Sequence, residues 1–233
     1  MDFLRQWWRL VLTVDAPLDT TNALLLGGVA LVLVLFGWRW VRVVATVCHE
    51  AGHAVIAVLT GRRLRGIRVH ADTSGLTLTR GRPSGPGMVA TLVAGYPAAS
   101  VLGLGVAALA GLGRSAAALW LIVVLLAAML VWIRNLYGAL VVPVLGVLVA
   151  AMSWYAPAPV LPWVASGVAW LLLFAGPRPV LEVARNPDPR TDASQLRALT
   201  RVPRIVWVAL WLLVTVGALV GGAMLLLPGI VAR

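Results

Sequence analysis

Long apolar stretches, each about the length that crosses a lipid bilayer, dominate the chain. A spanning helix needs about 20 mostly apolar residues. Reading the sequence in those units predicts about seven spanning helices, near residues 22–38, 41–61, 87–112, 115–133, 136–153, 160–176 and 204–228. The fifth contains Pro143, which disfavours a continuous helix, so six spans are the alternative.

Between the second and third predicted spans, a polar stretch has the pattern of a β-hairpin. Residues 66–70 and 76–79 are rich in β-branched and alternating apolar positions. They flank residues 71–75, Ala-Asp-Thr-Ser-Gly, a composition typical of turns. We therefore expect an all-α polytopic membrane protein with one short β-hairpin.

A second polar stretch lies between the sixth and seventh predicted spans. Residues 186–189, Asn-Pro-Asp-Pro, must be extended or turned because of the two prolines. Beyond them, Asp192 followed three residues later by Gln195 is typical of a helix start, with Asp192 as the N-cap. We find no internal repeat and no linker, so residues 1–233 are predicted to form a single membrane domain.

Composition supports a membrane location and excludes a water-soluble domain. Hydrophobic residues make up 61% of the chain and charged residues only 12%, with a mean hydropathy of +0.95. The net charge of +11 does not indicate a nucleic-acid partner, because the arginines lie in short loops between apolar runs and form no continuous patch. The single cysteine, Cys48, excludes an internal disulfide. The expected surroundings are therefore the lipid bilayer.

The arginines also predict an orientation, since short cytoplasmic loops carry the excess of positive charge. With seven spans and a cytoplasmic N-terminus, Arg5 and Arg9 share the cytoplasmic side with the hairpin region, Arg134 and the loop before the last span. Only four arginines then lie outside: Arg39, Arg42, Arg114 and Arg233. The expectation is a multi-pass protein with its N-terminus in the cytoplasm.

Candidate chemistry lies in the second predicted span, in the sequence His49-Glu50-Ala51-Gly52-His53. Two histidines four residues apart differ by about 40° around a helix, so both imidazoles face the same way. Two nitrogen ligands beside a carboxylate that can take a proton from metal-bound water are what zinc-dependent hydrolysis requires. Glu50 is the general-base candidate. The alternative is that these side chains only form hydrogen bonds with neighbouring helices.

A catalytic zinc ion normally has three protein ligands and one water, so a third ligand must come from elsewhere. Asp192 is the first choice, because its loop could fold back to the site, although an N-cap role is equally compatible with the sequence. Asp72 in the hairpin turn and Asp188 between two prolines are alternatives. Glu182 is expected to pair with a loop arginine.

Three further features have weaker implications. Asn135 could bind a substrate backbone or orient a ligand, or it could simply be a polar helix end. His70, on a predicted strand among arginines, is expected at the surface. Gly95-Tyr96-Pro97 predicts a kink or a close helix contact in the third span.

Together these motifs resemble the site-2 protease family of zinc-dependent intramembrane metalloproteases. The likeness rests on residues 49–53, on Ser74-Gly75-Leu76-Thr77 in the hairpin and on Ala94-Gly95-Tyr96-Pro97. A small bacterial branch is more similar still, through an Arg-Asn pair, an Asp-Ala pair and single residues after it: Arg134-Asn135, Asp192-Ala193, Leu196, Thr200, Pro203 and Trp207.

The resemblance implies that His49, His53 and a carboxylate bind Zn²⁺, that Glu50 activates water and that the hairpin helps present an unwound transmembrane protein substrate. It also implies a bacterial inner membrane location. The broader family supplies its aspartate from an Asp-Gly pair in a later span, and this chain contains no Asp-Gly. Asp192 is the hypothesis for that ligand here.

The leading hypothesis is therefore a zinc-dependent intramembrane endopeptidase. Two other functions remain open: a catalytically inactive membrane scaffold or regulator of the same fold, and a metal or solute transporter that uses the same buried histidines. The transporter is disfavoured because the chain lacks repeated halves with matching broken helices.

Overall fold

The computed structural model describes residues 2–186, 188–227 and 229 of the chain. These residues form a bundle of helices and one pair of strands. In chain order the elements are α1 (Asp2–Leu12), α2 (Thr20–Phe36), α3 (Trp38–Leu59), β1 (Arg63–Val69), β2 (Gly75–Arg80), α4 (Pro86–Ala94), α5 (Ala98–Gly111), α6 (Ser115–Leu130), α7 (Leu136–Tyr155), α8 (Leu161–Ala175), α9 (Pro177–Arg185), α10 (Asp192–Thr200) and α11 (Arg204–Leu226).

Helices occupy all seven regions in which spans were predicted, but they differ in length. Among the described residues, four helical stretches are long and apolar enough to cross a membrane: Trp38–Leu59, Leu136–Tyr155, Ala158–Arg185 and Arg204–Leu226. The bent pair α4 and α5 makes five if it counts as one span. The helices α2 and α6 are apolar but shorter, with 17 and 16 residues. The prediction of seven spans is therefore not confirmed, whereas α7 continues through Pro143 as one helix.

Helix α8 lies at the centre of the bundle and packs against α2, α5, α6 and α11. Its inward positions include Ala165 and Ala169, both fully buried. On the facing side of α5, a Cβ added to Gly103 would lie 3.0 Å from the Leu172 side chain. Such small residues let helices approach closely, and van der Waals packing of this kind holds helices together in lipid.

Helices α4 and α5 meet at a bend of 66°, as the Gly95-Tyr96-Pro97 sequence predicted. Pro97 has no N–H, so the Val93 carbonyl four residues earlier loses its helical donor. The indole Nε1 of Trp211 in α11 donates to that carbonyl at 2.9 Å instead. On the other side, a Cβ added to Gly52 of α3 would lie 2.6 Å from the Ala94 carbonyl oxygen. The bend is therefore held between α3 and α11.

The predicted β-hairpin is confirmed. Strands β1 and β2 are antiparallel, with Arg63 opposite Arg80 and Val69 opposite Gly75. The turn is attached to α3, because the Thr46 hydroxyl donates to the Thr73 carbonyl at 2.7 Å. The hairpin thus lies along the helix that carries the His49–His53 motif.

The outer edge of β1 is covered by residues 132–135, the connection between α6 and α7. The Ile67 N–H donates to the Trp132 carbonyl at 2.7 Å, and the Arg134 N–H donates to the Ile67 carbonyl at 2.9 Å. The Asn135 side-chain amide then donates to the Val69 carbonyl at 2.6 Å and accepts from the Val69 N–H at 3.2 Å. In the described part of the chain, no strand pairs with the outer edge of β2.

The N-terminal helix α1 is attached to the connection between α5 and α6. The Asp15 N–H donates to the Gly113 carbonyl at 2.8 Å, and the Arg114 guanidinium donates to the Leu12 carbonyl at 2.7 Å. The Ser115 hydroxyl also donates to the Asp15 carboxylate at 2.9 Å. This end of the bundle therefore contains both α1 and Arg114.

The hairpin lies at the opposite end. Helix α5 starts beside Gly52 and runs 14 residues, about 20 Å, to the end that contacts α1. The structure thus places Arg5 and Arg9 with Arg114 and away from the hairpin arginines. The grouping predicted from the sequence, which put Arg5 and Arg9 on the hairpin side and Arg114 on the other, is wrong.

Candidate metal centre

Three side chains from two distant helices converge on one point. His49 and His53 lie one turn apart on α3, and their Nε2 atoms are 2.9 Å apart. The Asp192 Oδ2 atom of α10 lies 3.2 Å from each of these nitrogens. These three groups could hold a metal ion.

The spacing of the donor atoms fits zinc. Tetrahedral ligands at about 2.0 to 2.1 Å from Zn²⁺ lie about 3.3 to 3.4 Å from one another. The observed triangle, with sides of 2.9, 3.2 and 3.2 Å, is only slightly tighter. Two imidazoles and one carboxylate are also the kind of donor set that catalytic zinc sites use, with a fourth position left open.

The orientation of His53 is fixed by the backbone of α4. Its Nδ1–H donates to the Thr91 carbonyl at 2.7 Å, and both residues are buried. A proton on Nδ1 leaves the lone pair of the neutral ring on Nε2, the atom that faces Asp192. This hydrogen bond is the usual way in which a protein sets the tautomer of a metal-binding histidine.

The α4–α5 bend lies directly against both imidazoles. A Cβ added to Gly95 would lie 2.6 Å from the His49 Cε1 atom and 2.6 Å from the His53 Nε2 atom. The next residue, Tyr96, lies edge-on to the His49 ring with centroids 4.8 Å apart. Trp211 contacts the other side of Tyr96, with centroids 4.4 Å apart. Residues at the end of α4 and on α11 thus restrict the movement of the two imidazole rings.

Asp192 is free to face the imidazoles because the neighbouring residue caps its helix. The Thr191 hydroxyl accepts from the Ser194 N–H at 3.4 Å, so Thr191 is the N-cap of α10 and the predicted N-cap role of Asp192 is wrong. Burial raises the pKa of Asp192, but the His53 and His49 imidazoles outweigh it and hold the pKa below its usual value. Fully buried Leu196 packs in one cluster with Trp211, which anchors α10.

The other candidate carboxylates have partners elsewhere. Asp72 accepts from the Ser74 N–H at 2.9 Å within its own turn. Asp188 pairs with the Arg190 guanidinium at 2.9 Å. Glu182 accepts from the indole of Trp38 at 2.7 Å and lies 3.4 Å from the Arg42 guanidinium. The structure therefore brings only Asp192 of the four candidates to the two imidazoles.

Glu50, the general-base candidate, is buried between α3 and the hairpin, with 4% of its surface exposed. The Thr77 hydroxyl of β2 donates to its Oε2 atom at 2.5 Å. A Cβ at Gly75 would overlap the Glu50 carboxylate, so a larger residue there would displace that carboxylate. The sequence reasoning assigned no role to Thr77 or Gly75, although both belong to the Ser74–Thr77 segment that carried the family resemblance.

One cavity of about 500 Å³ connects these groups. Its walls include the imidazoles, Asp192, Glu50 and four residues of β2: Gly75, Leu76, Thr77 and Thr79. Of the residues described, neither Asn135 nor His70 lines it. The cavity thus joins the candidate metal centre to residues of β2.

The fold and the site define a class: a multi-pass membrane protein of mostly helical structure with a His/His/Asp centre of the kind that metallopeptidases use. A family model described as Peptidase M50B-like matches residues 22–222, so the chain belongs to this family, part of the site-2 protease group. The resemblance stated from the sequence is confirmed. Searches of curated proteins and of solved structures found no match.

Proposed function

We propose that this protein is a zinc-dependent intramembrane endopeptidase that hydrolyses peptide bonds of membrane-embedded proteins. The observation that carries the proposal is the triangle formed by His49, His53 and Asp192, with buried Glu50 beside it in the same cavity. The family match supports the same reaction class.

In this mechanism His49, His53 and Asp192 hold the ion. A bound zinc ion would supply polarisation of the scissile carbonyl and a lower pKa for its water. Glu50 takes a proton from the attacking water and returns it to the leaving amine. The hydrogen bond from Thr77 holds Glu50 Oε2, which leaves Oε1 for the proton transfer. The packed rings of Tyr96 and Trp211 limit access of bulk water from that side.

We assign substrate presentation to the outer edge of β2. A helical segment keeps its scissile amide inside the helical hydrogen-bond ladder, so the substrate must unwind before attack. An extended peptide can pair with an open strand edge through main-chain hydrogen bonds. Residues of β2 line the cavity, whereas the edge of β1 is already occupied by residues 132–135.

The proposed location is a bacterial inner membrane, with the metal-centre end of the bundle facing the cytoplasm. Of the arginines in the described chain, only Arg5, Arg9 and Arg114 lie at the α1 end. Arginines on the hairpin, on α9 and α10, and in the loop between those helices lie at the other end. Short cytoplasmic segments carry this excess of positive charge.

Substitution of Glu50 separates catalysis from metal binding. With purified protein in vesicles and a panel of tagged single-span reporter proteins, we expect Glu50→Gln to reduce cleavage by about 10²- to 10⁴-fold, the contribution of a general base. Zinc content measured by mass spectrometry should stay at the wild-type level. Asp192→Asn should lose both zinc and cleavage, and the matched control Asp188→Asn should lose neither.

Each alternative function predicts a different result in these measurements. Wild-type cleavage by Glu50→Gln would refute the role of Glu50. Purified wild-type protein without stoichiometric zinc would favour the inactive scaffold. Solute flux into vesicles that requires His49 and His53 would favour a transporter.

A further inference from the structure

Helix α1 is fixed to the bundle along one face. The ring of Trp7 lies edge-on to Trp120 of α6, with centroids 5.8 Å apart. Leu10 packs against the large core cluster around α8. The Arg114 guanidinium holds the last carbonyl of the helix, that of Leu12. These contacts therefore fix the directions in which the other faces of α1 point.

A second face of α1 is apolar and exposed. Leu4, Trp8 and Leu12 follow one another at intervals of four residues, so they form one stripe. Their exposed fractions are 62%, 54% and 60%. The stripe is uncovered within the described chain.

A third face, next to this stripe, is positively charged. Arg5 and Arg9 are one helical turn apart and exposed. Within the described residues no carboxylate pairs with either guanidinium. A helix with one face of Trp and Leu and an adjoining face of arginine has the pattern of helices that lie in the membrane interface.

The position of α1 in the bundle suits that pattern. Gln6 and Arg9 line a cavity of about 230 Å³ together with Trp154, at the C-terminal end of the apolar helix α7. The C-terminal end of α11 also lies close to this region. A Cβ on Gly111, at the end of α5, would lie 2.7 Å from the Leu225 carbonyl oxygen. The ends of spanning helices lie at headgroup level, where tryptophan is enriched.

We propose that α1 lies in the membrane interface at the end of the bundle away from the metal centre, and that it binds anionic lipid. Leu4, Trp8 and Leu12 enter the acyl-chain boundary, and Arg5 and Arg9 contact lipid phosphates. The apolar stripe gives insertion, and the two arginines give preference for anionic headgroups.

Depth-dependent quenching tests the insertion. The full chain would be labelled with an environment-sensitive fluorophore at Leu4→Cys or, as the matched control on the polar face, at Gln6→Cys, with the wild type as blank because Cys48 is buried. In vesicles of phosphatidylcholine with a minor fraction of phosphatidylglycerol, nitroxides on the acyl chains should quench the Leu4 label about threefold or more above the Gln6 label. Iodide should show the reverse order.

Two results would overturn the insertion. Equal quenching of both labels by iodide would mean that the stripe faces water. Protection of the Leu4 label from both quenchers would mean that a protein, such as a second copy of this chain, covers the stripe.

The headgroup preference has a separate readout. We expect nitroxide-labelled phosphatidylglycerol to quench the Leu4 label more than nitroxide-labelled phosphatidylcholine does, and Arg5→Gln with Arg9→Gln to bring that ratio down to about one. The control pair, Arg197→Gln with Arg201→Gln, has the same spacing at the opposite end and should leave the ratio unchanged. A wild-type ratio of one would refute lipid recognition by Arg5 and Arg9.

Discussion

Gly95 shows how a missing side chain shapes the candidate metal centre. A Cβ at this position would lie 2.6 Å from atoms of both His49 and His53, whose rings lie edge to face 4.5 Å apart, so both rings would have to shift. We expect Gly95→Ala to weaken zinc binding by about 10- to 100-fold, as happens when the groups that orient a ligand are disturbed. Competition with a chromogenic chelator measures the affinity.

The matched control is Gly105→Ala in α5, where an added Cβ meets nothing within 4 Å. This variant should bind zinc as the wild type does. Equal affinities for both variants would show that the bend does not confine the imidazoles.

Substitution of Thr77 is predicted to impair catalysis without loss of the metal. The hydroxyl donates to the buried Glu50 carboxylate, and hydrogen bonds to charged groups contribute about 1.5–3 kcal/mol. Thr77→Val should therefore lower kcat/KM for a cleaved reporter by about 10- to 100-fold with full zinc content. Thr79→Val, on the same side of the strand, removes only an acceptor for Arg62 and should retain activity. If both variants behave alike, the hydrogen bond to Glu50 has no catalytic role.

The sequence was informative about single residues where the signal was local. The four-residue spacing of His49 and His53 follows from helix geometry alone, and the structure places their nitrogens together. Asp192 could only be ranked among other carboxylates, because its approach to α3 depends on tertiary packing. Thr191 and Asp192 are both good N-caps, and propensity does not decide between them.

At the scale of elements, Trp211 connects α11 to the α4–α5 bend and, through Tyr96, to the His49 ring. Trp211→Phe keeps a ring but leaves the Val93 carbonyl without its donor, at a cost of about 1–3 kcal/mol. We expect a melting temperature lowered by a few degrees and weaker zinc binding. Differential scanning fluorimetry and zinc titration measure the two effects.

Trp207→Phe is the control, since its buried Nε1 has no hydrogen-bond partner among the described residues. That variant should retain both stability and zinc affinity. A larger loss for Trp207→Phe than for Trp211→Phe would contradict the role assigned to the Val93 hydrogen bond.

Elements with strong local patterns were predictable, and contacts between distant elements were not. The hairpin and the bend at Gly95–Pro97 have turn and proline signals in the sequence. The pairing of β1 with residues 132–135 has no such signal, because it joins segments far apart in the chain. It also gave Asn135 a partner, Val69, that sequence reasoning had not considered.

At the scale of the whole molecule, the proposed orientation predicts which engineered cysteines can be labelled from outside the cell. Val14 is 62% exposed beyond α1, and the Arg190 side chain is 91% exposed near the metal centre. In intact cells a membrane-impermeant maleimide should modify Val14→Cys and spare Arg190→Cys. After permeabilisation both should react, whereas the buried Cys48 of the wild type should not. The opposite pattern in intact cells would place the N-terminus in the cytoplasm.

The sequence-based orientation depended on the number of crossings before each loop, so one doubtful span reverses every later segment. The α2–α3 junction is such a point, with only Gly37 between the two helices. The Arg178 guanidinium donates to the Val34 carbonyl, which places the end of α2 beside α9. Arg39 and Arg42 therefore belong to the arginine-rich end.

The contribution of Asp192 from α10 also sets when the site can form during synthesis. His49, His53 and Glu50 are made early, but Asp192 emerges only after every helix up to α9, and its helix packs on α11. A nascent chain that ends before α10 holds two imidazoles without their carboxylate partner. The candidate metal centre therefore cannot be complete until α10 has been made.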